Sequence, residues 1–383
     1  MKAIFFPIMS IFLLLPANIK PQTIERVKEN GVEIVKNSLQ PAPLSKHHFK
    51  LTLEDEFAID SSNMEIARIG LYDILDFVVD SKGWIYLMPN VRTFEQYIYA
   101  FNSEGRFLRA FFKRGEGPGE TSRGTSSVAI NHRDEIEAWQ VSPYRLSVFR
   151  NDGKLLREKT LTKNFTRLYS LPNGKYLAYG PAEFSRTDVV QTPLVITDAD
   201  FRILKLLDQR QEPNASGDTR MKFSPMVFQW SISKDRIFIG NELRGYEILV
   251  YDFEGRLVRK VQKKYSAVKI SANIIEKFKK KSRFANRVFF PDDWPAFQGL
   301  FSDENGRLFV ATFEPGPKPG EFIHDVFDMD GAFIGRVSLA HFMESVIAGP
   351  VYLTATAKNQ RLYLLQESEN GYKRLSVSHI YWK

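Results

Sequence analysis

The feature that most constrains this chain is a short turn that keeps recurring. An apolar strand runs into Asp or Asn, passes a few polar residues and often a Gly, and leaves as an aromatic-rich strand. It is cleanest at residues 79–87, where Asp80 and Gly83 supply the turn geometry and Trp84, Ile85 and Tyr86 open the next strand. Five further copies lie at 131–136, 171–177, 233–239, 303–310 and 357–364. A second turn of the same kind follows most of them, at 101–108, 149–156, 251–258 and 327–334, with a glycine-less copy at 197–204. Two tight turns per unit with a looser connection between them describe a four-stranded antiparallel meander.

Taking Gly83, Asp134, Gly174, Asp235, Gly306 and Gln360 as markers, the units lie 51, 40, 61, 71 and 54 residues apart. A single sheet of so many strands would curl or split. The spacing instead predicts an all-β, six-bladed β-propeller of four-stranded antiparallel blades, with a β-sandwich pair or a solenoid as the alternatives. The 31 Phe and 15 Tyr agree, since aromatic side chains pack well on a pleated surface. The sixth unit ends one strand short, and the alternating segment 48–59 is the expected replacement, closing the ring with an N-terminal strand.

Residues 1–22 read as a signal peptide: Lys2, then an apolar run from Ala3 to Leu15. Residues 23–47 read as a hairpin and linker, with Asn30–Gly31 between alternating runs as the turn and Pro41 and Pro43 as the linker. The propeller then spans 48–383, with an insertion at 263–296 between the fourth and fifth blades. There Ser271 is a candidate N-cap for the one convincing helix, on which Ile274, Ile275 and Phe278 share a face. The chain has no cysteine, which excludes disulfides, thiol chemistry, cysteine-bound metals and a lipid-anchored N-terminal cysteine. The expectation is an exported protein, periplasmic or extracellular and not a lipoprotein, with no transmembrane helix in the mature chain.

The repeated turns, the hairpin at 29–32 and above all the string Arg114-Gly115-Glu116-Gly117-Pro118-Gly119-Glu120 resemble a bacterial six-bladed β-propeller family related to NHL-repeat proteins. The resemblance covers about residues 23–383. Members of that family are mostly uncharacterised and often exported, many of them as lipoproteins, a pattern from which this cysteine-free chain departs. The resemblance implies a fold more firmly than a function.

In a propeller the middle loop of each blade and the blade-to-blade connection emerge on one face. That face is expected to collect the long loops at 113–124, 181–193, 209–225, 263–295, 314–321 and 340–350, and so any binding site. Candidate contact residues are Arg114, Glu116 and Glu120 on the glycine-rich loop, and Trp294 and Phe297 in the aromatic cluster after the basic helix. The glycine-rich loop lacks the Lys-Ser/Thr pair and following helix of a phosphate loop, so a sharp turn in which Glu120 caps backbone donors is its bland reading.

The formal charge of +8 would suit an anionic partner, but its densest run, Lys277 to Arg287, equally reads as a solvated helix face, and no nucleic-acid partner is expected. The six histidines show no metal-ligand spacing. The leading expectation is a monomeric, non-catalytic binding or scaffolding propeller of the bacterial envelope, without a cofactor, that recognises a protein, peptide or glycan. The alternative is a metal-dependent hydrolase or lyase whose ligands converge on the propeller axis from different blades.

Overall fold

One side chain closes the recurrent turn. Asp80 Oδ1 accepts the N–H groups of Lys82 and Trp84 at 2.9 and 2.8 Å. Asn131, Asp252 and Asp303 do the same for the residues two and four positions on. This geometry throws the residue three positions after the acceptor into the left-handed region, as at Gly83 (φ +81°) and Gly306 (φ +82°), where glycine carries no steric cost. The glycine-less copy still makes the turn. Phe201 takes φ +62°, and its buried ring, 4.8 Å from that of Tyr176, offsets the strain.

The computed structural model describes residues 24–42, 51–90, 96–340 and 354–382, apart from breaks at 123–124, 126, 142, 162, 182, 185–188, 214–220, 224–225, 284 and 369–370. The signal-peptide reading of 1–22, the end of the linker and the loop at 341–350 lie outside these residues.

The meanders form six antiparallel sheets, whose strands are named a to d from the axis outward. Blade 1 comprises Ile74–Val79, Ile85–Pro89, Gln96–Phe101 and Phe107–Lys113. Blade 2 comprises Ser127–Ile130, Ile136–Val141, Tyr144–Phe149 and Leu155–Thr160. In blade 3, Arg167–Ser170, Tyr176–Tyr179, Val189–Thr197 and Ile203–Pro213 are joined by the short Glu183–Phe184. Strands c and d of that blade therefore run into segments expected to be loop, at 189–193 and 209–213.

Blade 4 contains Phe228–Ser233, Arg236–Asn241, Glu247–Tyr251 and Leu257–Lys263, and blade 5 contains Gly299–Ser302, Leu308–Pro315, Glu321–Phe327 and Phe333–Ala340. Blade 6 takes Ala355–Lys358, Arg361–Glu367 and Lys373–Trp382 from the C-terminus, and its strand d is Leu51–Ile59. The closing strand pairs from Leu375↔Ile59 to Trp382↔Leu51, as the missing strand in the sixth unit predicts.

Six apolar clusters fill the seams between neighbouring blades, one per seam. Between blades 1 and 2, for example, Tyr86, Ile98 and Phe112 meet Val128, Ile136 and Phe149, and between blades 6 and 1 Tyr363, Leu375 and Val377 meet Phe77, Ile85 and Leu87. Each blade is apolar on both sides because both are covered, and the ring is held by this burial together with side-chain bonds across the seams, such as Tyr246 to Asp325 at 2.6 Å between blades 4 and 5.

Two features depart from the sequence expectation. The N-terminal hairpin is present, Glu25–Glu29 against Val32–Asn37, but it does not stand apart from the ring. Val32–Asn37 pairs in parallel with strand d of blade 4, making that sheet six strands wide. A five-residue helix, α1 (Met64–Arg68), capped by Asn63, also joins the closing strand to blade 1; it is too short to show a 3.6-residue period.

The expected helix α2 (Ala272–Lys281) is capped by Ser271. It lies over a satellite cluster in which Ile275 and Phe278 pack against Phe223 and Phe290, and Trp294 stacks flat on Phe313 at 4.9 Å.

Candidate functional site

The six a strands ring the axis, and the d-to-a and b-to-c connections share the face opposite the tight turns. Inside the ring is a cavity of about 220 Å³ to which all six blades contribute, among them Asp76 of blade 1, Arg167 and Tyr169 of blade 3, Gln229 and Trp230 of blade 4, and Thr354 leading into blade 6. Toward the tight-turn face a wider space of about 560 Å³ shares Phe77, Tyr169 and Ile232 with it and is rimmed by His132, Asp134, Lys234 and Glu304.

Strand alternation accounts for the lining. In blade 3 Arg167 and Tyr169 face the axis while Leu168 between them is buried in the seam with blade 2. In blade 1 the register shifts between Ile74 and Asp76: Ile74 belongs to the apolar cluster of the blade 6–1 seam, and the irregularity puts Asp76 among the axial groups.

Asp76 is the one carboxylate lining this cavity among the described residues. Burial pushes its carboxyl above the usual range, partly offset by the positive charge of Arg167, by the Phe77 N–H that Oδ1 accepts at 2.9 Å, and by Lys373. Arg167 Nη1 donates to the Tyr169 hydroxyl at 3.4 Å. The Tyr169 ring stands edge-on to Trp230 at 6.1 Å, and Trp230 leans against Tyr179 at 5.0 Å. Gln229 is spoken for by the fold, because its Oε1 accepts the Leu300 N–H of blade 5. A carboxyl and a guanidinium thus sit beside an aromatic pair in a half-open axial space. Among the described residues no three His, Asp or Glu side chains are grouped to hold a metal ion.

The residues singled out from the sequence lie elsewhere. Arg114 and Glu116 are exposed on the connection from blade 1 to blade 2. Glu120 turns back into its own loop: it accepts the Gly117 N–H at 3.0 Å and pairs with Lys113 at 3.1 Å, and the Gly117 bond, then Lys113, hold its carboxyl below the usual range. A Cβ at Gly115 would meet the Glu120 carboxylate and displace it from the Gly117 N–H that it caps. This is the backbone-capping turn of the bland reading.

Trp294 and Phe297 are buried, at 8% and 0% exposure, with ring faces covered by Phe313 and by the blade 4–5 seam. They mount the insertion on the disc and offer no open ring to a ligand. Asp76 and Arg167 are not among the candidates named from the sequence, yet a signal exists. Each lies four residues before a tight turn, at Asp80 and Leu171, inside a strand otherwise read as apolar.

A family model described as a six-bladed β-propeller matches residues 70–222. Among solved structures the chain is similar to a protein of Bacteroides fragilis assigned as exported, at 13% identity over 91% of this chain and 99% of that one, with a TM-score of 0.51. It is also similar to a gluconolactonase of Xanthomonas campestris (14% identity, 93% and 100% coverage, TM-score 0.40) and to virginiamycin B lyase of Staphylococcus aureus (9%, 86% and 99%, 0.37). These identities speak to the fold alone, which is all-β and six-bladed. No curated protein matches the chain. Among the described residues no helix is long and apolar enough to cross a membrane.

Proposed function

We propose that this chain is an exported, monomeric, non-catalytic binding propeller of the bacterial envelope, and that of the protein, peptide and glycan ligands open to it, the one it takes is a glycan. The observation that carries the reading is the side-by-side placement of Tyr169 and Trp230 with Asp76 and Arg167 in the axial cavity. Aromatic rings stack on the C–H face of a sugar, while a carboxyl and a guanidinium hydrogen-bond its hydroxyls. The cavity of about 220 Å³ fits one sugar ring between these groups, and the space of about 560 Å³ that adjoins it at Phe77, Tyr169 and Ile232 leaves room for further units. Arg114 and Glu116, exposed on the long-loop face, would meet the rest of the glycan outside the channel.

The test is titration of the full chain against a panel of bacterial-envelope oligosaccharides, followed by calorimetry on the best hit. Trp230→Ala and Asp76→Asn should each weaken binding at least about tenfold, whereas Trp294→Phe, in the buried mount, should leave it unchanged. Selection of a peptide from a displayed library, with no sugar bound, would replace the glycan by a peptide. Turnover of any panel member would end the non-catalytic reading.

A further inference from the structure

The first buried side chain of each b strand that faces the following blade sits near the tight turns and plugs the seam there. It is Tyr86 in blade 1, Leu177 in blade 3, Phe238 in blade 4, Phe309 in blade 5 and Tyr363 in blade 6. In blade 2 it is Glu137, 3% exposed, and the seam that it faces, between blades 2 and 3, holds a cleft of about 460 Å³. Glu137 lines this cleft, together with Leu146, Val148 and Phe201 of the apolar seam. Its Oε1 accepts the Asn131 amide at 3.3 Å and the Tyr176 hydroxyl at 3.4 Å, whereas Oε2 is buried and has no partner among the described residues. A buried carboxyl oxygen left in this way is costly, and a guest in the cleft that bonds it removes the cost.

The surroundings of that oxygen select the guest. The cations on the rim are already neutralised: Arg157 pairs with Glu135 at 2.8 Å, Arg133 with the same carboxylate at 3.6 Å, and Lys159 with Asp200 at 2.7 Å. Glu158, the other acid lining the cleft, pairs with Arg145 at 3.5 Å. This balance favours an uncharged guest. Burial pushes the Glu137 carboxyl up to about 7, so acid and carboxylate coexist near neutral pH. A hydroxyl serves both forms by rotating, since it donates to the carboxylate and accepts from the acid. An ammonium only donates, and a carboxylate or phosphate only accepts.

The cleft also adjoins the axial path. It shares Asn131, His132 and Ser170 with the wider space of about 560 Å³, which meets the axial cavity at Phe77, Tyr169 and Ile232. We propose that the cleft between blades 2 and 3 is a second sugar subsite, in which Glu137 Oε2 hydrogen-bonds a hydroxyl of an uncharged unit further along the glycan whose first ring lies in the axial cavity. This rests on the glycan reading of that cavity and deepens it: the ligand is an oligosaccharide that is neutral at this unit.

Calorimetric titration of the full chain tests it, with neutral oligosaccharides of glucose, mannose and N-acetylglucosamine, each from one to six units, alongside uronic-acid oligosaccharides of the same lengths. The quantity read is the gain in affinity from the monosaccharide to the longest member that binds. Glu137→Leu gives blade 2 the aliphatic plug that Leu177 gives blade 3, and Glu137→Gln keeps a group that both donates and accepts. Melting temperatures no lower than that of the parent would show that both variants fold.

The expected result is a gain of at least about tenfold for a neutral series in the parent, kept in Glu137→Gln and cut at least about fivefold in Glu137→Leu. An equal gain in parent and Glu137→Leu would overturn the proposal, leave Oε2 to an ordered water and leave the axial reading standing. A gain lost as fully in Glu137→Gln would overturn the hydroxyl contact, and binding of the uronic-acid series alone would overturn the neutral unit. A parent that binds no member of any series would overturn the subsite and the glycan reading together.

Discussion

Two N-terminal segments add strands to this ring, and they do so in different ways. Leu51–Ile59 fills a vacancy: it is antiparallel strand d of blade 6, and Ile59 (1% exposed) sits in the cluster that joins blade 6 to blade 1. Its acids are tied to the blade, with Ser378 donating to Asp55 at 2.8 Å, Tyr381 to Glu54 at 2.9 Å, and Arg361 pairing with Glu56 at 2.6 Å.

The hairpin fills no vacancy. It extends blade 4, which already has four strands, by a parallel contact at the rim. It is fastened by Val35 (0% exposed), by the ion pair from Arg259 to Glu33 at 2.6 Å, and by Asn37, which reaches across to blade 5. The contrast teaches that edge pairing alone does not say what a strand is worth. A strand that closes a ring couples two blades through a core, whereas one that lengthens a sheet secures mainly itself.

The largest expected effect breaks the closure. Ile59→Ala should cost about 2–5 kcal/mol of global stability, seen as a lower denaturant midpoint with an unchanged slope. A loss confined to local hydrogen exchange in Leu51–Ile59 would mean that the closing strand is as peripheral as the hairpin.

The pH response separates one buried ring acid from one hairpin acid, because Glu137 and Glu33 shift in opposite directions. Glu137, buried in blade 2 between Asn131 and Tyr176, is pushed up to about 7 by burial, against weaker opposing pulls from Asn131 and Arg157. The folded ring therefore binds this proton more tightly than the unfolded chain does. Below pH 4.5 both states are protonated and the burial penalty is absent; it grows as pH rises from 4.5 to about 7. Glu137→Gln should flatten that fall and stabilise the protein at pH 8 by up to about 3 kcal/mol, measured by chemical denaturation at several pH values.

Asn37→Ala tests the hairpin. Its amide donates to the carbonyls of Gly331 (2.9 Å) and Gln262 (3.1 Å), and its Oδ1 accepts the Phe333 N–H (2.8 Å). Removing it should cost about 1–3 kcal/mol, with faster hydrogen exchange in Glu25–Asn37 and at Phe333 but little change in Leu51–Ile59.

The smallest effect is acid loosening of the hairpin. Burial raises the Glu33 carboxyl, but its bonds to Arg259 and Arg26 outweigh that and leave it below the usual range. A depressed acid stabilises the fold above its unfolded value of 4.5 and loses that contribution as pH falls through the folded value. Protection factors in the hairpin, taken against the intrinsic exchange rate at each pH, should fall below pH 4.5, where Glu137 no longer penalises the ring. An unchanged protection of the hairpin across this range would show that the Glu33 pairs add nothing to its fastening.

The strands, the turns and the closure were legible in the sequence because their determinants are local or countable. Asp80 bonds backbone two and four residues ahead, and a sixth unit with three strands announces the absence of a fourth. α2 was legible through its cap and apolar stripe, and Glu120 through its glycine-rich turn. Other features depend on partners remote in sequence. Asp76 and Arg167 stand 91 residues apart and meet only because blades 1 and 3 face one axis. Trp294 and Phe297 are candidate contact residues by type and position, and only the packing decides that their rings are covered. The hairpin was readable as a hairpin, but its berth on blade 4 depends on Asn37 meeting Gly331, 294 residues away. Local hydrogen bonding and alternation thus set what each segment becomes, while the seams between blades decide which faces are hidden, and so which residues remain to do chemistry.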